Sequence, residues 1–196
     1  MEDYLKKSIM MLLFRNVRSD EHTDIELASE KAYGDMARHT LHLKNDADRD
    51  ALKESGREKL SALINGDIEK VTTDTEFDDW HKKACDKLRE VYEGKTTAEC
   101  GTLTYGQAQK WINMTVKYLR IIYDLYEDEK AGVEFFKFAH VPIDSIMYKT
   151  VENKLHISPP KESWSKLDDY KEYKSYQKDI REKVETPLTR EMEIWA

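Results

Sequence analysis

Apolar positions along this chain recur at helical three- and four-residue steps, and almost nowhere alternate for the length of a strand. Leu5, Ile9, Leu12 and Leu13 mark an amphipathic helix over residues 2–17. Ile25, Ala28, Ala32, Met36 and Leu43 carry a second, from Asp24 to Leu43. Asp46 can cap a third, with Leu52, Leu60 and Leu63 on its stripe and Asn65-Gly66 as its stop. Thr75 opens a fourth, in which Phe77, Trp80, Ala84, Leu88 and Val91 share a face up to Gly94. Lys95 to Gly101 reads as a polar loop. The longest apolar-rich helix runs from Thr104 to Asp124, and its apolar residues cover most of the circumference, as expected of a central helix buried on several sides. A short helix is expected from Gly132 to Phe138, and another from Pro142 to about Val151. After the break at Ser158-Pro159-Pro160, a long helix from Ser165 to Val184 carries Leu167, Tyr170, Tyr173, Tyr176 and Ile180. Pro187 opens a last one ending at Trp195. The pattern predicts an all-α, compact multi-helix array in one domain of two tightly joined lobes.

Composition agrees. Only 7 Gly and 4 Pro interrupt 196 residues, fewer turn-formers than an all-β chain needs. Two cysteines, Cys85 and Cys100, are too few for a four-thiolate zinc site or iron–sulfur cluster, and read as reduced thiols of a cytosolic protein. The opening Met-Glu-Asp is acidic, and the apolar run Ile9 to Phe14 ends at Arg15, so neither a secretory signal nor a membrane span is expected. His39-x-x-His42 would put two imidazoles on one face of the second helix, but no acid or Cys partner stands at ligand spacing. No metal is expected, and with no Gly-rich phosphate loop, no cofactor either.

The formal net charge of −7 repels nucleic acid on average, so a DNA-binding reading needs a local basic face. Residues 101–123 contain no Asp or Glu, where the chain's average would place about four or five, yet they hold Lys110, Lys117 and Arg120. Burial explains missing acids, but burial excludes cations too. The stretch is a positive island, the condition an anionic ligand needs. On a helix, Lys110, Met114, Lys117 and Ile121 share one face. Gly106 lets backbone approach a phosphate at the helix start. A partly desolvated lysine in this field is a candidate nucleophile, although a lone lysine is usually a solvated one. Downstream, Val141-Pro142-Ile143-Asp144 places a carboxylate at a helix start, where it serves either as a plain cap or as a reactive group.

Taken together, Tyr105-Gly106-Gln107-Ala108-Gln109-Lys110 and Val141-Pro142-Ile143-Asp144 resemble the helix–hairpin–helix DNA glycosylases. The separation of 34 residues (144 − 110), and the ending Pro187-Leu188 with Trp195, look closest to the archaeal 8-oxoguanine branch. The resemblance covers about 50 residues, and Gly106 stands alone where the hairpin usually reads Gly-apolar-Gly. It implies one lobe from about residue 25 to 139, and a second made of the N-terminal helix and residues 140–196. It implies an enzyme that excises a damaged or modified base from double-stranded DNA with the nucleotide flipped out. Lys110 would attack the sugar C1′, and Asp144 would stabilise the charge developing on the sugar. The substrate contacts implied are Gly106, Gln107, Trp111, Asn113, Lys117 and His140. Tyr105, Trp80 and Trp164 are further stacking candidates, and Gln109 a further amide. The competing reading is a non-enzymatic helical binder of a nucleotide or protein partner, which suits the acidic surface.

Overall fold

The Thr104 side chain accepts from the Gln107 N–H while Gln107 reaches back to the Thr104 N–H, and from this capping box a helix runs unbroken from Tyr105 to Tyr126. It is buried on nearly every face of its first half, Gly106 to Val116, and everything else is arranged around it. The computed structural model describes residues 1–15 and 22–195, except the side chains of Ile194 and Trp195. Among these residues there are eight α-helices: α1 Asp3–Phe14, α2 Asp24–Ala37, α3 Arg49–Asp67, α4 Asp74–Val91, α5 Tyr105–Tyr126, α6 Ser145–Leu155, α7 Tyr170–Arg181 and α8 Pro187–Trp195. The regular structure of the described residues is all helical, as the periodicity predicts, and the only extended pairing described is one antiparallel bridge, Leu43 to Thr96.

The largest interface joins α2 to α5, and α4 and α7 pack on other faces of α5. α1 docks on α2, its Phe14 ring edge-on to Tyr118. Trp111 sits at the centre, fully buried, its indole N–H 3.1 Å from both the carbonyl and hydroxyl oxygens of Ser29. α3 carries Gly56 against this ring, because a β-carbon there would lie 2.5 Å from it.

Six expected elements differ in extent. α1 ends at Phe14 with Arg15 left-handed, and the rest of the expected span lies outside the described residues. α2 stops at Ala37, because Leu43 is drawn into the bridge to Thr96. α3 passes through Asn65-Gly66 and ends at Asp67. α7 begins at Tyr170, not Ser165, because residues 163–168 form a single turn and then cross the start of α5, where Leu167 O accepts from Gly106 N–H. The short element before His140 is two 3-10 turns, Glu129–Gly132 and Glu134–Lys137. Pro142 lies before the helix in a stretch without regular secondary structure, and α6 starts at Ser145.

Candidate functional site

Lys110 stands on the second turn of α5 and Asp144 caps the start of α6. The Asp144 carboxylate divides its two oxygens. Oδ1 accepts from the backbone N–H groups of Ile146 and Met147, at 3.0 and 2.8 Å, and Oδ2 accepts from Lys110 Nζ at 2.6 Å. The capping role and the lysine partnership are therefore both filled by one residue. The Lys110 side chain is 7% exposed and that of Asp144 25% exposed. Lys117, two turns along the same face of α5, pairs at 2.7 Å with Glu191 of α8, whose side chain is 5% exposed. Burial pushes the Glu191 carboxyl above its ordinary range, against the pull of the Lys117 ammonium. Two lysines and two carboxylates thus line the seam between α5, α6 and α8. Sequence reasoning missed Glu191, and nothing in its charge-rich surroundings singles it out.

The structure corrects several expected site residues. The positive island is not a positive face. Lys110 and Lys117 are neutralised by Asp144 and Glu191, and Arg120 pairs with Asp124 at 2.7 Å. Nor is the start of α5 open to a phosphate. Gly106 N–H donates to Leu167 O at 2.8 Å, Tyr105 N–H to Asp168, and Gln107 N–H to the cap. A β-carbon at Gly106 would sit 1.6 Å from the Trp164 carbonyl oxygen, so the backbone that approaches this glycine belongs to the chain itself. Gln107 is held by the capping box and by Thr40 O at 2.6 Å. Trp111, Asn113 and His140 have no exposed surface and are bonded within the core, so none of them is a substrate contact in this conformation. Trp80 is buried on Phe77 and Phe135, and the Tyr105 ring carries the Arg89 guanidinium.

A cavity of about 570 Å³ opens between the end of α2, the α4–α5 connection and residues 162–168. His39, His42, Thr97, Cys100 and Lys166 wall it, and Lys110 and Asp144 do not. His39 and His42 lie beyond the end of α2, so they do not share a helix face. Among the described residues, no three metal-ligating side chains converge, and no helix is long and apolar enough to cross a membrane.

A buried polar network lies behind the pair. The His140 Nε2–H faces Asp78 Oδ1 at 2.9 Å, and its Nδ1 faces the Tyr173 hydroxyl at 2.9 Å. His81 Nδ1 meets the Tyr170 hydroxyl at 2.9 Å, and Arg181 donates to Asp78 at 2.8 Å. Burial holds both imidazoles neutral, pushing His140 down to about 4 and His81 well below its ordinary value. Burial alone would raise the Asp78 carboxyl, but the bonds and charges of His140 and Arg181 outweigh it and hold it well below the usual carboxylate range. In the unfolded chain each histidine takes a proton near pH 6.5. Between that value and about 4 the unfolded chain therefore binds more protons than the folded one, and stability falls on acidification. Glu191 acts in the opposite sense, since its raised carboxyl favours the folded state as it protonates. Two histidines outweigh one glutamate. Unfolding free energy is expected to drop by about 2–3 kcal/mol between pH 7 and pH 5, lowering Tm by about 5–10 °C. Thermal unfolding at the two pH values checks this, and a flat Tm would refute it. His140→Gln, whose amide can serve both partners, should reduce the slope.

Comparison with known protein families, curated proteins and solved structures finds no match to this chain.

Proposed function

We propose that the chain is a DNA glycosylase, with Lys110 as nucleophile and Asp144 as the carboxylate that stabilises the sugar cation. One observation carries the reading. Lys110 Nζ and Asp144 Oδ2 meet at 2.6 Å across 34 residues of sequence, and the other oxygen of the acid is fixed to the start of α6. Such a pair suits displacement at a sugar carbon. Asp144 takes a proton from the Lys110 ammonium. The freed amine attacks C1′ of a nucleotide turned out of the duplex, and the bond from C1′ to the base breaks. The electron pair leaves on the base, which then takes up a proton. Asp144 hands the proton on to solvent before that bond breaks, and the restored, fixed carboxylate faces the positive charge that grows on the sugar. Sugar ring opening converts the nitrogen–C1′ product to an imine, which water hydrolyses or strand cleavage consumes. A helix–hairpin–helix-like arrangement of α4 and α5 belongs to the same reading, with the connection from Tyr92 to Thr104 in place of a tight hairpin. The cations of α5 are paired, so binding is expected to rest on the extruded nucleotide more than on backbone phosphates.

The filled start of α5 and the net charge of −7 favour the alternative, a non-enzymatic helical binder. Borohydride trapping on a duplex with a single abasic site separates the two without knowledge of the base. The C1′ aldehyde condenses with an amine, losing water, and borohydride reduces the imine to a stable secondary amine. A covalent adduct mapped to Lys110 by peptide mass spectrometry is the expected result. Absence of an adduct, with no base released from duplexes carrying deaminated, oxidised or alkylated bases, would leave the binder.

A further inference from the structure

Residues 139–143 pass, buried and without regular secondary structure, through the middle of a helical protein, and their backbone has no strand to pair with. Two glutamine side chains take the strand's place. Gln177 of α7 accepts from Val141 N–H at 3.2 Å and donates to Val141 O at 2.8 Å. Gln109 of α5 accepts from Ile143 N–H at 3.1 Å and donates to Ile143 O at 2.8 Å. Each amide makes the reciprocal pair of bonds that a neighbouring strand would make to the same residue. Pro142, which lacks an N–H, falls between the two clamped residues and leaves no donor unmet. Asn113 adds a contact from its amide nitrogen to Val141 O at 3.2 Å. The Gln109 amide is itself fixed. Its nitrogen also donates to Gly106 O at 2.9 Å, and its oxygen also accepts from Asn113 at 3.0 Å. Gln109 is fully buried and Gln177 1% exposed, so water does not compete at either clamp.

Gln109 immediately precedes Lys110, and Ile143 immediately precedes Asp144. The Gln109 clamp is therefore the shortest link between the backbones that carry the ammonium and the carboxylate. The Gln177 clamp lies two residues further back and on another helix. We infer that Gln109 is a positioning residue that sets the approach of Lys110 to Asp144 through its two-point grip on Ile143; this rests on the reading of that pair as reactive. Geometry at a reacting centre is steep in rate. A misplacement of about 1 Å costs on the order of 100-fold.

The test compares Gln109→Met with Gln177→Met in the full chain. Each removes two bonds from the same segment, so a merely structural role would move both alike. The rate of borohydride trapping at saturating abasic duplex is expected to fall about 100-fold in Gln109→Met, with the Kd for the duplex unchanged. In Gln177→Met the rate should fall less than about 3-fold. A second readout needs no DNA. Lys110 methylation by formaldehyde and borohydride, followed by peptide mass spectrometry, should speed up several-fold in Gln109→Met alone, as the ammonium loses its fixed partner. Equal slowing of trapping in the two variants, or unchanged Lys110 methylation in Gln109→Met, overturns the inference. If the wild-type chain traps no DNA, the reactive reading of the pair fails, and the methylation comparison still decides the clamp. Should Gln109→Met fail to fold, Gln109→Glu takes its place, because it keeps the acceptor for Ile143 N–H and loses the fixed donor.

Discussion

Lys110→Met is expected to abolish imine trapping, by at least about 1000-fold, while leaving the fold as stable as before. The two halves of this result have separate causes. The amine is the only group in the proposed reaction that bonds to the sugar, so no neighbour replaces it. Stability is insulated because the Lys110 side chain is 7% exposed. Exchanging a buried charge for an apolar side chain of similar length removes a desolvation cost along with an attraction. Asp144 is left with its bonds to Ile146 and Met147 and with its partial exposure, so its charge is still served. The net change is expected within about 1 kcal/mol, a few degrees in Tm. Asp144→Ala should behave differently. It removes the α6 cap, worth about 1 kcal/mol, and strands the Lys110 ammonium in a buried setting, where breaking such a pair costs about 3–5 kcal/mol. Trapping measured beside thermal unfolding distinguishes the variants. An adduct still formed by Lys110→Met would sink the nucleophile assignment. A large loss of Tm in that variant would show that the pair is structural.

Much of the fold is legible because periodicity records which residues are buried, and here most buried residues are helical. Thr104 and Gln107 announce the start of α5, and the apolar residues around its circumference announce its central place. The failures share one cause. Leu43 and Leu167 sit at helical spacing and are buried, but Leu43 is held by a bridge and Leu167 by a crossing over α5. Burial does not reveal the backbone that delivers it. Asp144 was legible as a cap, and as the partner of Lys110 only through resemblance. The acid that cancels the charge of Lys117 was not legible at all. Glu191 lies 74 residues from Lys117, and an acid-free stretch gives no sign that distant carboxylates fold onto it. The clamp at Ile143 was equally hidden, because Gln109 reads as one more polar position in a buried helix until its partner is known.

Gly106→Ala is expected to destabilise the protein by about 3–5 kcal/mol, lowering Tm by about 10 °C or more. Glycine at a helix start normally invites the opposite result, since alanine gains about 0.5–1 kcal/mol in helix propensity and unfolded-state entropy. The deciding fact is what the added methyl meets. The new carbon would lie 1.6 Å from the Trp164 carbonyl oxygen and 2.8 Å from its carbon. Both are backbone atoms, so no rotamer change relieves the clash. Residues 164–168 would have to lift from α5, and they are bound there at several points. Leu167 O accepts from Gly106 N–H, Ser165 O accepts from the Thr104 hydroxyl at 2.9 Å, and Asp168 holds Tyr105 N–H and Arg89. Each bond lost in a buried place costs about 1 kcal/mol or more, beyond the overpacking itself. Gly34→Ala, in the interior of α2, is the control. Nothing lies within 4 Å of its added carbon, so it should stabilise by the ordinary propensity gain. Thermal unfolding of the two variants decides the matter, and Gly106→Ala melting with the wild type would mean that the crossing is not tight. Sequence reading took this glycine as the place where a phosphate's approach needs a bare backbone. The requirement is real, but the approaching group is the carbonyl of Trp164, and that carbonyl occupies the space where a phosphate would sit.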